Sequence, residues 1–144
     1  MRSGYTQKLS GPLLDRIDIM VNVPRLPFEK ISMLAGTETS EQIRKRVMAA
    51  RGIQHNRYGR KMGKIKLNGR ISSKTVRESC ALDSEATKLL QEAFTKMHCS
   101  GRAYYRIIKV ARTIADLENS PEIRVAHLAE ALQYRPRIEE LTES

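Results

Sequence analysis

Apolar residues recur every three or four positions through the second half of the chain, the period that gathers them on one face of a helix. The clearest run is Ile107, Ile108, Ala111, Ile114, Ala115 and Leu117, in a segment that Ser100 can open as an N-cap. It predicts an amphipathic helix facing a core. Upstream, Asp83 followed by Ser84 and Glu85 caps a second helix whose apolar face is Ala86, Leu89, Leu90, Ala93, Phe94 and Met97. Ser72 or Ser73 can cap a short helix through Cys80. Thr39-Ser40-Glu41-Gln42 has the Thr-x-x-Gln spacing of a capping box, ahead of a helix to about Tyr58 with Ile43, Val47, Ala50 and Ile53 on its apolar stripe. After a turn at Asn119-Ser120-Pro121, a last helix from about Arg124 to Tyr134 uses Leu128, Ala131 and Leu132, and Pro136 stops it. The body is predicted to be an all-α bundle of about five helices.

The front of the chain has another period. Ile17, Ile19, Val21 and Val23 alternate with Asp18, Met20 and Asn22, the two-residue repeat of a strand, and Pro24 and Pro27 end it. Before it, Ser10-Gly11-Pro12 can open a short helix through Leu13 and Leu14. A lone strand cannot satisfy its own backbone, and no other stretch reads as a parallel partner, so its neighbours are expected outside this chain.

Charge adds a partner class to this picture. The 144 residues carry 26 Lys and Arg against 16 Asp and Glu, a net charge of +10, which favours a polyanion such as nucleic acid or nucleotide phosphate. Much of that charge lies on the Thr39–Tyr58 helix, at Arg44, Lys45, Arg46, Arg51 and Arg57, with His55 beside them. More follows in Gly59 to Arg70, where Arg60, Lys61, Lys64, Lys66 and Arg70 are interleaved with Gly59, Gly63 and Gly69 without any sustained period. That stretch reads as a mobile basic loop. Cys80 and Cys99 are too few and too isolated for a disulfide framework or a metal knuckle. No apolar run approaches a membrane span and no signal peptide opens the chain, so a cytoplasmic location without a membrane partner is expected.

Arg102 stands out among the basic residues. It falls in the first turn of the Ser100 helix, where the dipole disfavours a cation and the free N–H groups favour an anion, so a phosphate close to it would resolve the conflict. Arg112 and Asp116 are four apart and can pair on the same helix, which makes both structural.

Ser100-Gly101-Arg102, running on into Val-Ala-Arg-Thr-Ile-Ala-Asp-Leu at 110–117 and His-Leu-Ala-Glu-Ala-Leu-Gln-Tyr-Arg at 127–135, resembles the sensor-2 end of magnesium-chelatase-like AAA+ ATPases of the ComM (YifB) group. Leu9-Ser10-Gly11-Pro12-Leu13-Leu14-Asp15-Arg16-Ile17-Asp18 resembles the same family's arginine-finger segment. The resemblance implies a mainly α chain: a helical-bundle AAA+ lid (sensor-2) domain at 37–138, preceded at 1–36 by the end of the α/β ATPase core with a residual strand, and followed by a flexible tail at 139–144. It makes Arg16 an arginine finger acting in trans and Arg102 a nucleotide sensor, with cis or trans action left open for Arg102. Arg51, Gln54 and Arg57 are similar to the family's Arg-x-x-Gln-x-x-Arg stretch. With Arg60, Lys61, Lys64 and Lys66, the two arginines of that stretch are either a solvated basic face or contacts to a phosphate backbone. Asn68-Gly69 stands where the family usually has Asn-Ala, so no fixed role is assigned to Asn68.

Neither a Gly-x-x-x-x-Gly-Lys-Ser/Thr phosphate loop nor a Walker B strand occurs in the chain, although the family has both before the segment seen here. Met1 therefore reads as the start of a C-terminal piece. This piece should be inactive alone and bind no cofactor by itself, whereas ATP and Mg²⁺ serve the full-length assembly. The resemblance further implies the remainder of the AAA+ core as a partner, a homo-oligomer in the form of a hexamer, and ATP hydrolysis coupled to DNA remodelling by branch migration. The alternative is a non-enzymatic basic helical module that binds nucleic acid.

Overall fold

In the computed structural model, the described residues are 16–25, 27, 38–62, 67–97 and 99–135, with the side chains of 60–62 not described. They contain five α-helices: α1 (Ser40–Met62), α2 (Ser73–Ser79), α3 (Ser84–Lys96), α4 (Gly101–Leu117) and α5 (Val125–Gln133), with a single 3₁₀ turn at Asn68–Arg70 between α1 and α2. The predicted mainly α bundle is the fold observed. None of these helices is long and apolar enough to cross a membrane.

The caps written in the sequence operate as expected. Ser100 Oγ accepts from Ala103 N at 3.2 Å, Asp83 Oδ1 from Ala86 N at 2.7 Å, and Ser72, not Ser73, takes Thr75 N at 3.2 Å. The capping box at the start of α1 is reciprocal: Thr39 N donates to Gln42 Oε1 at 2.8 Å and Gln42 N to Thr39 Oγ1 at 3.3 Å.

Helix α4 is the axis of the bundle, packed against α1, α2, α5 and the 3₁₀ turn, while α3 lies on α5. Its apolar stripe is the core's largest contribution: Ile107, Ile108, Ala111, Ile114 and Ala115 are buried against Val76, Ala86, Leu90, Ile123, Leu128 and Ala131. Burying each large aliphatic side chain contributes about 1.5–3 kcal/mol, against about 1 kcal/mol for a typical cap and less for a surface ion pair.

The α4 C-terminus is a Schellman turn. Asn119 adopts φ 57°, Asn119 N donates to Asp116 O at 3.1 Å, and Ser120 N reaches back to Ala115 O at 2.8 Å. The turn sends the chain through buried Ile123, which makes an isolated parallel bridge to Leu82, into α5. At the start of α5, buried His127 accepts from Arg124 N through Nδ1 at 2.9 Å, so the neutral ring's proton sits on Nε2 and faces Glu118 Oε2 at 2.9 Å.

Two expectations are corrected. Helix α1 runs to Met62, past the predicted end near Tyr58 and straight through Gly59, where a Cβ would meet only the exposed His55 ring, at 3.0 Å. The expected mobile basic loop is thus partly helix and, at 68–70, an ordered 3₁₀ turn. Residues 17–23 form no ladder with any described residue: Ile19, Val21 and Val23 are 52%, 64% and 80% exposed, as for a segment without a sheet neighbour. The short helix expected at Leu13 and Leu14, and the tail at 139–144, lie outside the described residues.

The left-handed turn gives a direct test. Asn119→Val should lower stability in urea unfolding by about 1–2 kcal/mol, since a β-branched side chain resists positive φ, whereas Asn119→Gly should be close to neutral. Ile107→Ala should cost about 2–5 kcal/mol in the same assay.

Candidate functional site

The polar residues of α4 divide into a buried set near its C-terminus and an exposed set near its N-terminus. Asp116 is the centre of the first. Its carboxylate is fully buried, and a buried charge persists only where partners replace its lost water. Oδ1 accepts from Arg57 Nη2 at 2.6 Å and from Arg112 Nε at 3.1 Å, and Oδ2 accepts from Arg57 Nη1 at 3.0 Å and Asn68 Nδ2 at 2.8 Å. The Arg57 contact is the bidentate fork that planar guanidinium suits. Arg112 uses its other nitrogens on Pro121 O at 2.9 Å and Ser120 O at 2.5 Å, the carbonyls just beyond the Schellman turn.

A second layer holds these groups in place. Asn68 is buried, donates to Thr113 Oγ1 at 3.1 Å, accepts from Tyr58 OH at 3.1 Å, and offers its backbone N–H to buried Gln54 Oε1 at 3.1 Å. The Arg57 guanidinium also lies 5.6 Å from the centroid of the Tyr58 ring. Burial works against a charged Arg57, but the Asp116 hydrogen bonds and charge outweigh it and leave the guanidinium harder to deprotonate than usual. Burial, reinforced by nearby Cys80, pushes the Tyr58 phenol up to about 12, so it remains a donor at neutral pH. Cys80 itself is a buried thiol whose pKa burial raises, as for an unreactive core residue.

Arg57 is therefore a correction: both of its terminal nitrogens are committed to Asp116, not to an external phosphate. Gln54 is internal as well, and of the Arg51, Gln54, Arg57 series only Arg51 faces solvent. Asn68, for which the sequence offered no role, joins α1 and the 3₁₀ turn to α4. Nothing in its local sequence signals this, because its partners are 10 to 48 residues away. Arg60 and Lys61 fall in the last turn of α1, and Lys64 and Lys66 lie outside the described residues. The basic face of α1 is also partly neutralised, by Lys45–Glu41 at 2.9 Å and Arg46–Glu38 at 2.6 Å.

The exposed set carries the other sequence-derived candidates. Arg102 is solvent-exposed in the first turn of α4, with no acidic residue in that turn. Arg16 is exposed at the start of the described N-terminal segment. The two are connected through Arg106, one helical turn after Arg102: its Nη1 donates to the Arg16 carbonyl oxygen and to Asp18 Oδ1, the latter at 2.7 Å. Among the described residues, no group of three or more His, Cys, Asp or Glu side chains could hold a metal ion.

An α-helical bundle with an exposed arginine opening its central helix is consistent with the helical lid of a magnesium-chelatase-like AAA+ protein. Residues 37–135 match the family model described as magnesium chelatase, subunit ChlI C-terminal, and residues 1–31 match that of magnesium chelatase, subunit ChlI. The chain belongs to this magnesium chelatase ChlI family. It is 42% identical over 135 residues to the competence protein ComM of Haemophilus influenzae, covering 93% of this chain and 25% of that protein. It is also 39% identical over 132 residues to the uncharacterized protein YifB of Escherichia coli, and 35% identical over 131 residues to an uncharacterized protein of Mycobacterium bovis, in each case across 91% of this chain and 25% of the relative. The chain thus spans about a quarter of the length of these relatives.

The buried set predicts a division between neighbouring arginines of α1. Asp116→Ala should destabilise by about 3–5 kcal/mol, because it leaves two guanidinium groups buried without a counter-charge. Arg57→Ala should lower the urea midpoint clearly, while Arg51→Ala, one helix face away and exposed, should leave it unchanged.

Proposed function

We propose that this chain is the C-terminal lid portion of a magnesium-chelatase-like AAA+ ATPase of the ComM type, supplying an arginine finger and a sensor-2 arginine to ATP hydrolysis that drives DNA remodelling, including branch migration. The observation that carries the reading is Arg102, exposed in the first turn of a Ser100-capped helix within the 37–135 family match. That turn suits an anion: amide dipoles favour one at a helix N-terminus, the turn carries Arg102, and it holds no acidic residue. Contact between Arg102 and the terminal phosphate would make the orientation of α4, and so of the bundle built on it, depend on whether ATP or ADP is held.

Arg16 takes the complementary role. A guanidinium reaching the γ-phosphate across a subunit interface offsets charge that develops only in the transition state, an effect that can reach about 10³–10⁵ in rate. Bound ATP and Mg²⁺ supply the reacting phosphoryl group and its charge neutralisation, and the residues that hold them belong to the rest of the core. Assembly as a homo-oligomeric ring, with the hexamer as the family's form, brings Arg16 of one subunit to the nucleotide of the next. DNA is the macromolecular partner, engaged through phosphate by exposed basic residues such as Arg51.

Two measurements test this reading. In the full-length protein, Arg16→Ala should lower kcat by about 10³-fold or more with little change in ATP affinity, because the lost interaction exists only in the transition state. Mixing Arg16→Ala subunits with subunits defective in the phosphate loop should restore turnover, since some interfaces then combine two intact halves. Mixed rings that form yet stay inactive overturn the trans role. Affinity for DNA should fall by orders of magnitude between about 50 and 200 mM salt if phosphate dominates the contact, and salt-independent binding overturns that part of the reading.

A further inference from the structure

We propose that Arg106 is a positioning residue that couples the arginine-finger segment to the sensor helix within one subunit, so that Arg16 moves with the lid. The proposal rests on the roles given above to Arg16 and Arg102, and it comes from how residues 16–20 are attached. Among the described residues that segment forms no sheet ladder, and its strand neighbours are expected in the rest of the core. Its described polar attachments to the bundle are two. Arg106 Nη1 donates at once to the Arg16 carbonyl oxygen and to Asp18 Oδ1, using both hydrogens of one guanidinium nitrogen, and Met20 N donates to Tyr134 O at 2.9 Å.

Both anchors lie on one well-packed unit. Arg106 is on α4, and Tyr134 directly follows α5, which packs along α4 over the buried Leu128 and Ala131. Arg102 and Arg106 are four residues apart on α4, hence on the same face about one turn from each other. A displacement of α4 set by the nucleotide at Arg102 would therefore be passed directly to the Arg16 backbone through Arg106, with the Met20–Tyr134 bond as the segment's second anchor. The alternative, in which the finger is placed only by the α/β core, would leave Arg106 free of any such duty.

Arg106 is suited to separate experimental tests because its role in folding is small. Its side chain is 24% exposed and that of Asp18 is 55% exposed, so the pair is far more solvated than Arg112 with Asp116, at 3% and 0%. Solvated pairs contribute little to stability, and removing this one should spare the fold.

The test uses the full-length ATPase with Arg106→Ala, Arg106→Lys, Arg16→Ala and the Arg106→Ala/Arg16→Ala double variant. Arg106→Ala should lower kcat about 10- to 100-fold, the scale of a small misplacement of a catalytic group, with KM for ATP and Tm nearly unchanged. Arg106→Lys should recover much of the loss, because an ammonium can still donate to both acceptors. The double variant should be no slower than Arg16→Ala alone, since a positioning residue has nothing left to position. Wild-type kcat in Arg106→Ala beside an impaired Arg16→Ala overturns the coupling, as does full additivity in the double variant. A silent Arg16→Ala overturns the finger reading by itself. The attachment is then judged by hydrogen exchange: protection of the 17–20 amides should fall in Arg106→Ala while the α4 core amides stay protected, and unchanged protection at 17–20 overturns the proposal.

Discussion

A single buried carboxylate organises this bundle. Asp116 binds Arg57 from α1, Asn68 from the 3₁₀ turn and Arg112 from its own helix, and through Arg112 it reaches the carbonyls of Ser120 and Pro121. An unpaired carboxylate in the core would cost several kcal/mol, so the stability of the fold depends on these partners being in place. The network stabilises less than an apolar core of equal volume could, yet it is far more selective. Only one relative placement of α1, the 3₁₀ turn and α4 satisfies every donor, whereas apolar surfaces tolerate sliding.

The consequence is a firmly placed α4 whose two ends differ in character. Its C-terminal half is locked by Asp116, the Schellman turn at Asn119 and the Ile114 and Ala115 packing. Its N-terminal turn is exposed and basic, with Arg102 in solvent and Arg106 gripping the Arg16–Asp18 segment. A helix fixed at one end and open at the other can carry a change at its exposed turn into the rest of the bundle.

The basic charge that first suggested a polyanion partner is distributed by the fold into different jobs. Arg57 and Arg112 neutralise a buried carboxylate, Lys45 and Arg46 pair with Glu41 and Glu38, and Arg106 serves a backbone carbonyl and Asp18. Net charge alone therefore overstates the surface available to DNA phosphate. Arg51, Arg44 and Arg102 remain on the exposed side of this division.

Local signals in the sequence were sufficient for the five helices, the Asp83, Ser100 and Thr39 caps, a cap at either Ser72 or Ser73 for α2, the apolar face of α4 and the Arg112–Asp116 pair. Each depends on residues three or four apart, where helical geometry fixes who meets whom. The family was also legible, because it rests on contiguous motifs. The tertiary structure alone decided that Arg57 faces inward, that Asn68 is buried at the junction, that α1 continues through Gly59, and that Arg106 holds the Arg16 segment. The inward Arg57, the Asn68 junction and the Arg106 contact depend on partners 59, 48 and 90 residues distant. Pairings at such range are set by how whole helices dock, and no local period in the chain encodes them.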